Sequence, residues 1–260
     1  MSALLEEIES TRLPGVTLWW LGHCGFAVKS FEITFYIDPC LSSPAGRTRL
    51  FAPPLDPAAI TNSDLILCTH TGASHMDQGT LTAMLRASPR ARVVIPKSVA
   101  SHTHLLGVPF DRMTTTDSDL RVEYFKRGLY GRVYSVPSAH PELDWTPLGG
   151  YPHLGYLMRF GEITIYHAGD CCPYSDLVNR LRPYRVTAAL LPINGNGNFD
   201  ASEAAQLCED IGARWLVPMH YGTFEDQTTD VNRFIDHMLG FRPTIGFKVF
   251  RPGEGWTIPG

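Results

Sequence analysis

The sequence has no run of basic residues, no CxxC cysteine pair and no apolar stretch long enough to cross a bilayer. Its 22 Lys and Arg residues are outnumbered by 26 Asp and Glu, giving a formal net charge of −4. The basic residues are scattered, so the electrostatic footprint of a nucleic-acid binder is missing. The apolar segment Val16 to Val28 is broken by Gly22, His23 and Gly25 and falls short of the roughly 20 residues a membrane helix needs. The first residues are acidic and carry no basic n-region, so a cytoplasmic protein without secretion signal or membrane partner is predicted. The six cysteines (Cys24, Cys40, Cys68, Cys171, Cys172, Cys208) show no disulfide-scaffold spacing. They are expected to be reduced, with Cys68 and Cys208 in the core.

What is present is apolar material. Hydrophobic residues make up 44% of the 260 positions and charged ones 18%, enough for one large core and a single domain spanning 1–260. Composition predicts a short helix over 2–11, then three strands at Val16–Leu21, Cys24–Ser30 and Ile33–Asp38 joined as an antiparallel meander. Strands are predicted at Asp64–Thr69 and Arg92–Ile95, with helices at Gln78–Ala87 and Lys97–Leu106. Further strands follow at Arg121–Phe125, Arg132–Pro137, Gly155–Phe160 and Ile163–His167. After them come a helix (Tyr174–Leu181), a strand (Thr187–Pro192), a helix (Ala201–Ile211), a strand (Arg214–Pro218), a helix near Asp230–Leu239 and a strand at Phe247–Arg251. Grouped strands followed by alternating strands and helices fit an α/β protein, an αββα sandwich of two mixed sheets.

The ionisable residues fall at strand ends. Asp64-Leu65-Ile66-Leu67-Cys68-Thr69 leads to His70, Val133 to Ala139 leads to His140, Ile163 to Gly169 leads to Asp170, and Trp215 to Met219 leads to His220. Ligands in open α/β folds bind beyond the carboxyl ends of strands, and imidazoles with a carboxylate suit zinc, manganese or iron. A single such histidine is more often an ordinary loop residue; four together point to a shared site.

These residues sit in recognisable surroundings: Trp20-Leu21-Gly22-His23-Cys24-Gly25-Phe26, Ile37-Asp38-Pro39, Tyr166-His167-Ala168-Gly169-Asp170, Leu191-Pro192-Ile193-Asn194-Gly195, and Val217-Pro218-Met219-His220-Tyr221-Gly222-Thr223-Phe224. From about residue 16 to 251 the chain resembles the branch of the metallo-β-lactamase superfamily that contains L-ascorbate-6-phosphate lactonases. The resemblance implies one or two divalent ions, Zn or Mn. One would be held by His70, the residue at 72 and His140, the other by the residue at 74, His75 and His220, with Asp170 bridging. The chain departs from the family's His-x-His-x-Asp-His: it reads His70-Thr71-Gly72-Ala73-Ser74-His75, so each centre lacks one ligand. Three protein ligands with an open position remain sufficient for a catalytic zinc.

Compensating groups are sought nearby. Asp77 either reaches inward as a catalytic carboxylate or caps the helix starting at Gln78. His23 either enters the space left by the missing imidazole or serves as a catalytic, substrate-contact or supporting residue, the latter roles being favoured. Asp170 is a candidate for orienting water as well as a ligand, and His153 is a candidate for the substrate pocket. His102 and His104 are expected at the surface and His167 inside. In Asn194-Gly195-Asn196-Gly197-Asn198-Phe199-Asp200, Asn194 and Asn198 are candidate substrate contacts. The helix N-terminus after that loop either holds a sugar phosphate or is capped by Asp200.

By resemblance, the chain is predicted to be a metal-dependent hydrolase of a small molecule, a lactone or related ester, phosphorylated or not. The competing reading is a catalytically silent binding protein that kept the fold and lost metal. A nuclease is disfavoured by the charge, and a flavin-linked di-iron reductase by the lack of a carboxylate at 72. The partner expected is a small-molecule substrate; a homo-oligomer is left open.

Overall fold

The computed structural model describes residues 2–44, 46–241 and 244–259. Strands β1 (Thr17–Gly22), β2 (Gly25–Ser30) and β3 (Ile33–Ile37) form the expected antiparallel meander. The sheet continues in parallel through β4 (Leu65–Leu67), β5 (Arg92–Pro96) and β6 (Met113–Thr116). A second sheet begins with antiparallel β7 (Arg121–Lys126), β8 (Leu129–Pro137), β9 (Leu154–Phe160) and β10 (Ile163–His167). It continues in parallel through β11 (Ala188–Pro192), β12 (Trp215–Met219) and β13 (Gly246–Phe247). Strand β14 (Gly255–Thr257) returns to pair with β1.

Alternation along the strands builds the layers. Side chains point to opposite faces of a strand, so Leu18 and Trp20 enter the core between the sheets while Trp19 and Leu21 pack outward. In β11, Ala188 and Leu190 point inward and Ala189 and Leu191 outward. Strands covered on both faces read as continuous apolar runs. The outer face of the first sheet is covered by α1 (Ala3–Ser10), α2 (Gln78–Ala87) and α3 (Ala100–Leu105), through Leu5, Ile8, Leu81 and Met84. The second is covered by α4 (Leu177–Leu181), α5 (Ala201–Ile211) and α6 (Val231–Phe241), through Leu177, Leu181, Leu207, Phe234 and Met238. The result is the predicted αββα sandwich of two mixed sheets. No described helix is long and apolar enough to cross a membrane.

Some elements differ from expectation. The strand expected at Phe247–Arg251 ends at Phe247, because the Tyr221 hydroxyl takes over the Phe250 backbone: it accepts from the amide at 2.9 Å and donates to the carbonyl at 2.8 Å. The threonine-rich β6 and the short β14 carry too little apolar pattern to be seen in advance. The helix expected over Tyr174–Leu181 starts at Leu177, and that over Lys97–Leu106 opens with a 3-10 turn at Lys97–Val99.

Candidate metal centre

Strands β8, β10 and β12 run in one direction, so their carboxyl ends deliver His140, Asp170 and His220 to one rim, where β4 brings His70 and the following turn brings His75. Asp170, only 6% exposed, lies at the centre. Its Oδ1 is 3.3 Å from His75 Nε2 and 3.4 Å from His220 Nε2. Its Oδ2 is 3.5 Å from His70 Nε2 and 3.8 Å from His140 Nε2. Yet Asp170 Oδ1 and both ring nitrogens of His220 and of His23 make no hydrogen bond. Buried polar atoms this close but unpaired cost about 1–3 kcal/mol each. A tetrahedral zinc with bonds of about 2.0–2.1 Å sets its ligand atoms about 3.3 Å apart. The donor set therefore fits a divalent cation: Asp170 presents one oxygen to each of two histidine pairs.

Supporting contacts fix which nitrogen is offered. Asp38 is fully buried, and its Oδ2 stands 2.8 Å from His75 Nδ1. The same carboxylate accepts from the Thr69 amide at 2.8 Å and hydroxyl at 2.7 Å. His75 Nε2 is thereby turned to Asp170, the arrangement by which carboxylates orient metal-binding histidines. His140 Nδ1 donates to the Gly197 carbonyl at 2.9 Å, leaving Nε2 for Asp170. His23, Asp38 and His220 all adopt left-handed backbone angles, with φ of 53°, 42° and 64°. Such conformations cost L-residues about 1–2 kcal/mol, and here three of them gather at one place.

Burial lowers the pKa of His70 and His23 well below the usual imidazole value, and that of His220 to about 3. Their lone pairs are thus available at neutral pH. Burial also opposes charge on His75, but Cys24, Asp170 and Asp38 more than offset it and hold its pKa well above 6.5. Burial would raise the Asp170 pKa; His75, His220 and His70 drive it well below 3.8 instead.

The five expected ligands, His70, His75, His140, Asp170 and His220, are brought together. Among the described residues, two groups have ligand atoms mutually close enough for one ion: His70, His75 and Asp170, and His23, Cys24, His75 and His220. His153 joins them, its ring 4.7 Å from that of His70. The catalytic role entertained for Asp77 is corrected. It caps α2, accepting from Gly79, and its oxygens also take bonds from Ser42 and Thr80. None of these partners belongs to the histidine cluster. His23 is fully enclosed and stacked on His220 at 4.0 Å and 12°, which removes it from contact with substrate. With both ring nitrogens unpaired beside His75 and His220, it stands where a missing imidazole could be replaced.

Asn198 is 4% exposed with both amide atoms unpaired, and Asn194 Oδ1 is unpaired too. The phosphate reading of the following helix gives way to the cap: Asp200 and Glu203 form a reciprocal capping box that fills the N-terminus of α5 with carboxylates. His102 and His104 are exposed as expected. His167 is buried, with Nε2 donating to the Cys24 carbonyl at 2.8 Å.

Comparison with known proteins agrees with this geometry. Residues 34–221 match the Beta-lactamase superfamily domain. A UPF0173 metal-dependent hydrolase of Hyperthermus butylicus is 30% identical over 90% of this chain and 96% of its own length. One from Caldivirga maquilingensis is 27% identical over 93% of this chain and 98% of its own. The chain belongs to the UPF0173 metal-dependent hydrolase family. The fold of this UPF0173 protein is also that of Igni18, a metallo hydrolase from Ignicoccus hospitalis, with a TM-score of 0.73, 22% identity, and coverage of 94% of this chain and 98% of that one.

Three residues of this UPF0173 hydrolase site escape a sequence reading. Asp38 is visible as Asp-Pro after a strand, but its contact with His75 spans 37 positions. Thr69 looks like the last strand residue, and Cys24, whose Sγ lies 3.4 Å from His75 Nδ1, looks like a core thiol.

Proposed function

We propose that this chain hydrolyses a small lactone or related ester, phosphorylated or not, using zinc or manganese held by His70, His75, His140, Asp170 and His220. The observation that carries this reading is Asp170, whose two oxygens face two histidine pairs with Oδ1 unpaired. A bound divalent ion supplies a Lewis acid for a substrate oxygen and lowers the pKa of water toward neutrality.

The chain's own residues do the rest. Asp38 and the Gly197 carbonyl hold the Nδ1 sides of His75 and His140, so that each presents Nε2. Asp170 stays ionised and orients both pairs. The unpaired amide of Asn198, with Asn194, offers neutral donors and acceptors suited to ester oxygens and sugar hydroxyls. Asn194 also lines a polar cavity of about 240 Å³ with Arg47, Asn196, Asp226, Gln227 and Thr228. A phosphoryl group would meet Arg47 there rather than the acidic cap of α5.

The test is metal content of protein purified without chelator, followed by assay on lactones, phosphorylated lactones, thioesters and phosphodiesters. Stoichiometric metal and lactone opening that chelator removes and Zn²⁺ or Mn²⁺ restores would support the reading. Failure to retain any transition metal after these ions are added would sink it and favour a silent binding protein.

A further inference from the structure

Resting on the reading of this rim as a metal centre, we infer that His153 is a metal ligand, replacing the side chain missing at Gly72. The space at 72 is taken. A β-carbon there would lie 2.5 Å from His70 Nε2 and 3.1 Å from its Cδ2. His70 therefore rests directly on the glycine, and a ligand projecting from position 72 is incompatible with where it stands. Among the described residues, the Oδ2 side of Asp170 is left with His70 and His140, at 3.5 and 3.8 Å.

His153 stands beside this pair. Its ring centroid is 4.7 Å from that of His70 and 6.2 Å from that of His140. Two imidazoles on one tetrahedral ion have centroids about 5 Å apart, so His153 stands at that spacing from His70. His140 and His153 lie outside the two groups whose ligand atoms are already mutually close, and both rings would turn inward to close the set. The backbone fixes this placement. The His153 carbonyl accepts from the Ser138 amide at 3.1 Å, and the next residue, Leu154, donates to the Thr69 carbonyl at 3.0 Å. His153 is thus pinned between the segments that lead to His140 and His70. The ligand set becomes His70, His140, His153 and Asp170, three imidazoles and a carboxylate, which suits zinc or another borderline divalent ion.

The test is Co²⁺ titration of chelator-treated protein, read by visible absorption and bound stoichiometry, comparing the wild type with H153A, H153Q and H153D. H153A and H153Q are expected to weaken one ion by about a hundredfold, leaving any other unaffected. H153D, which restores a ligand, is expected to recover most of the loss. Unchanged circular dichroism and thermal unfolding of the metal-free variants control for folding, and H153Q keeps the test open if H153A fails to fold. A wild type that binds Co²⁺ while neither H153A nor H153Q alters affinity overturns the His153 assignment and leaves the hydrolase reading standing. A wild type that binds no Co²⁺ overturns both.

Discussion

His70 Nε2 lies 2.5 Å from where a β-carbon on Gly72 would sit, so the smallest residue in the motif is a condition for the histidine beside it. Something must shift to admit even a methyl group. Gly72→Ala is predicted to move His70 off Asp170 and to weaken metal binding about 10–100-fold, measured by competition with a chromophoric chelator. Gly72→His, which restores the family spacing, is predicted to lower activity as well. A large gain would mean that His70 moves freely and that the site is merely degraded.

Asp38 is predicted to act on the metal through His75. Asp38→Asn keeps the shape but removes the charge facing Nδ1, and should cost about 10–100-fold in metal affinity. Asp38→Ala also strands the buried Thr69 amide and hydroxyl, and should cost about 3 kcal/mol or more of stability. Chemical denaturation of the metal-free protein separates the two effects.

Metal capture should release a proton at neutral pH. With its pKa well above 6.5, His75 carries protons on both nitrogens in the metal-free protein, and ligation through Nε2 displaces one. Calorimetry in buffers of different ionisation enthalpy should find about one proton released, and affinity should fall as pH is lowered. No proton release would show that His75 is neutral before binding.

The same shifts set the stability of the metal-free protein. His75 has a raised folded pKa, so its contribution is full below its unfolded value near 6.5 and is lost as pH rises through the folded value. Asp170 has a depressed one, so its contribution is present above about 3.8 and is lost as pH falls through the folded value. Thermal unfolding of the metal-free protein should show a midpoint that falls on both sides of this window.

Asp77 offers a clean separation of cap from catalyst. Asp77→Ala should cost about 1–2 kcal/mol of stability and leave kcat unchanged. A general base removed from the reaction would instead cost about 10²–10⁴-fold in rate.

The sequence by itself determined the layers and the gathering of the five expected ligands at one rim. Apolar strands ending in His or Asp are a local pattern, and parallel strands bring their carboxyl ends to one rim whatever the details. It could not rank Asp77 against Asp38. Both are aspartates near the motif, and only tertiary packing turns one onto Ser42 and Thr80 and the other onto His75. Nor could it assign a use to Gly72. In the sequence that glycine is a ligand lost; in the fold it is the floor on which His70 rests, with His153 arriving from the bend just before β9 of the other sheet. Those relationships depend on distances between segments far apart in the chain, which residue spacing does not encode.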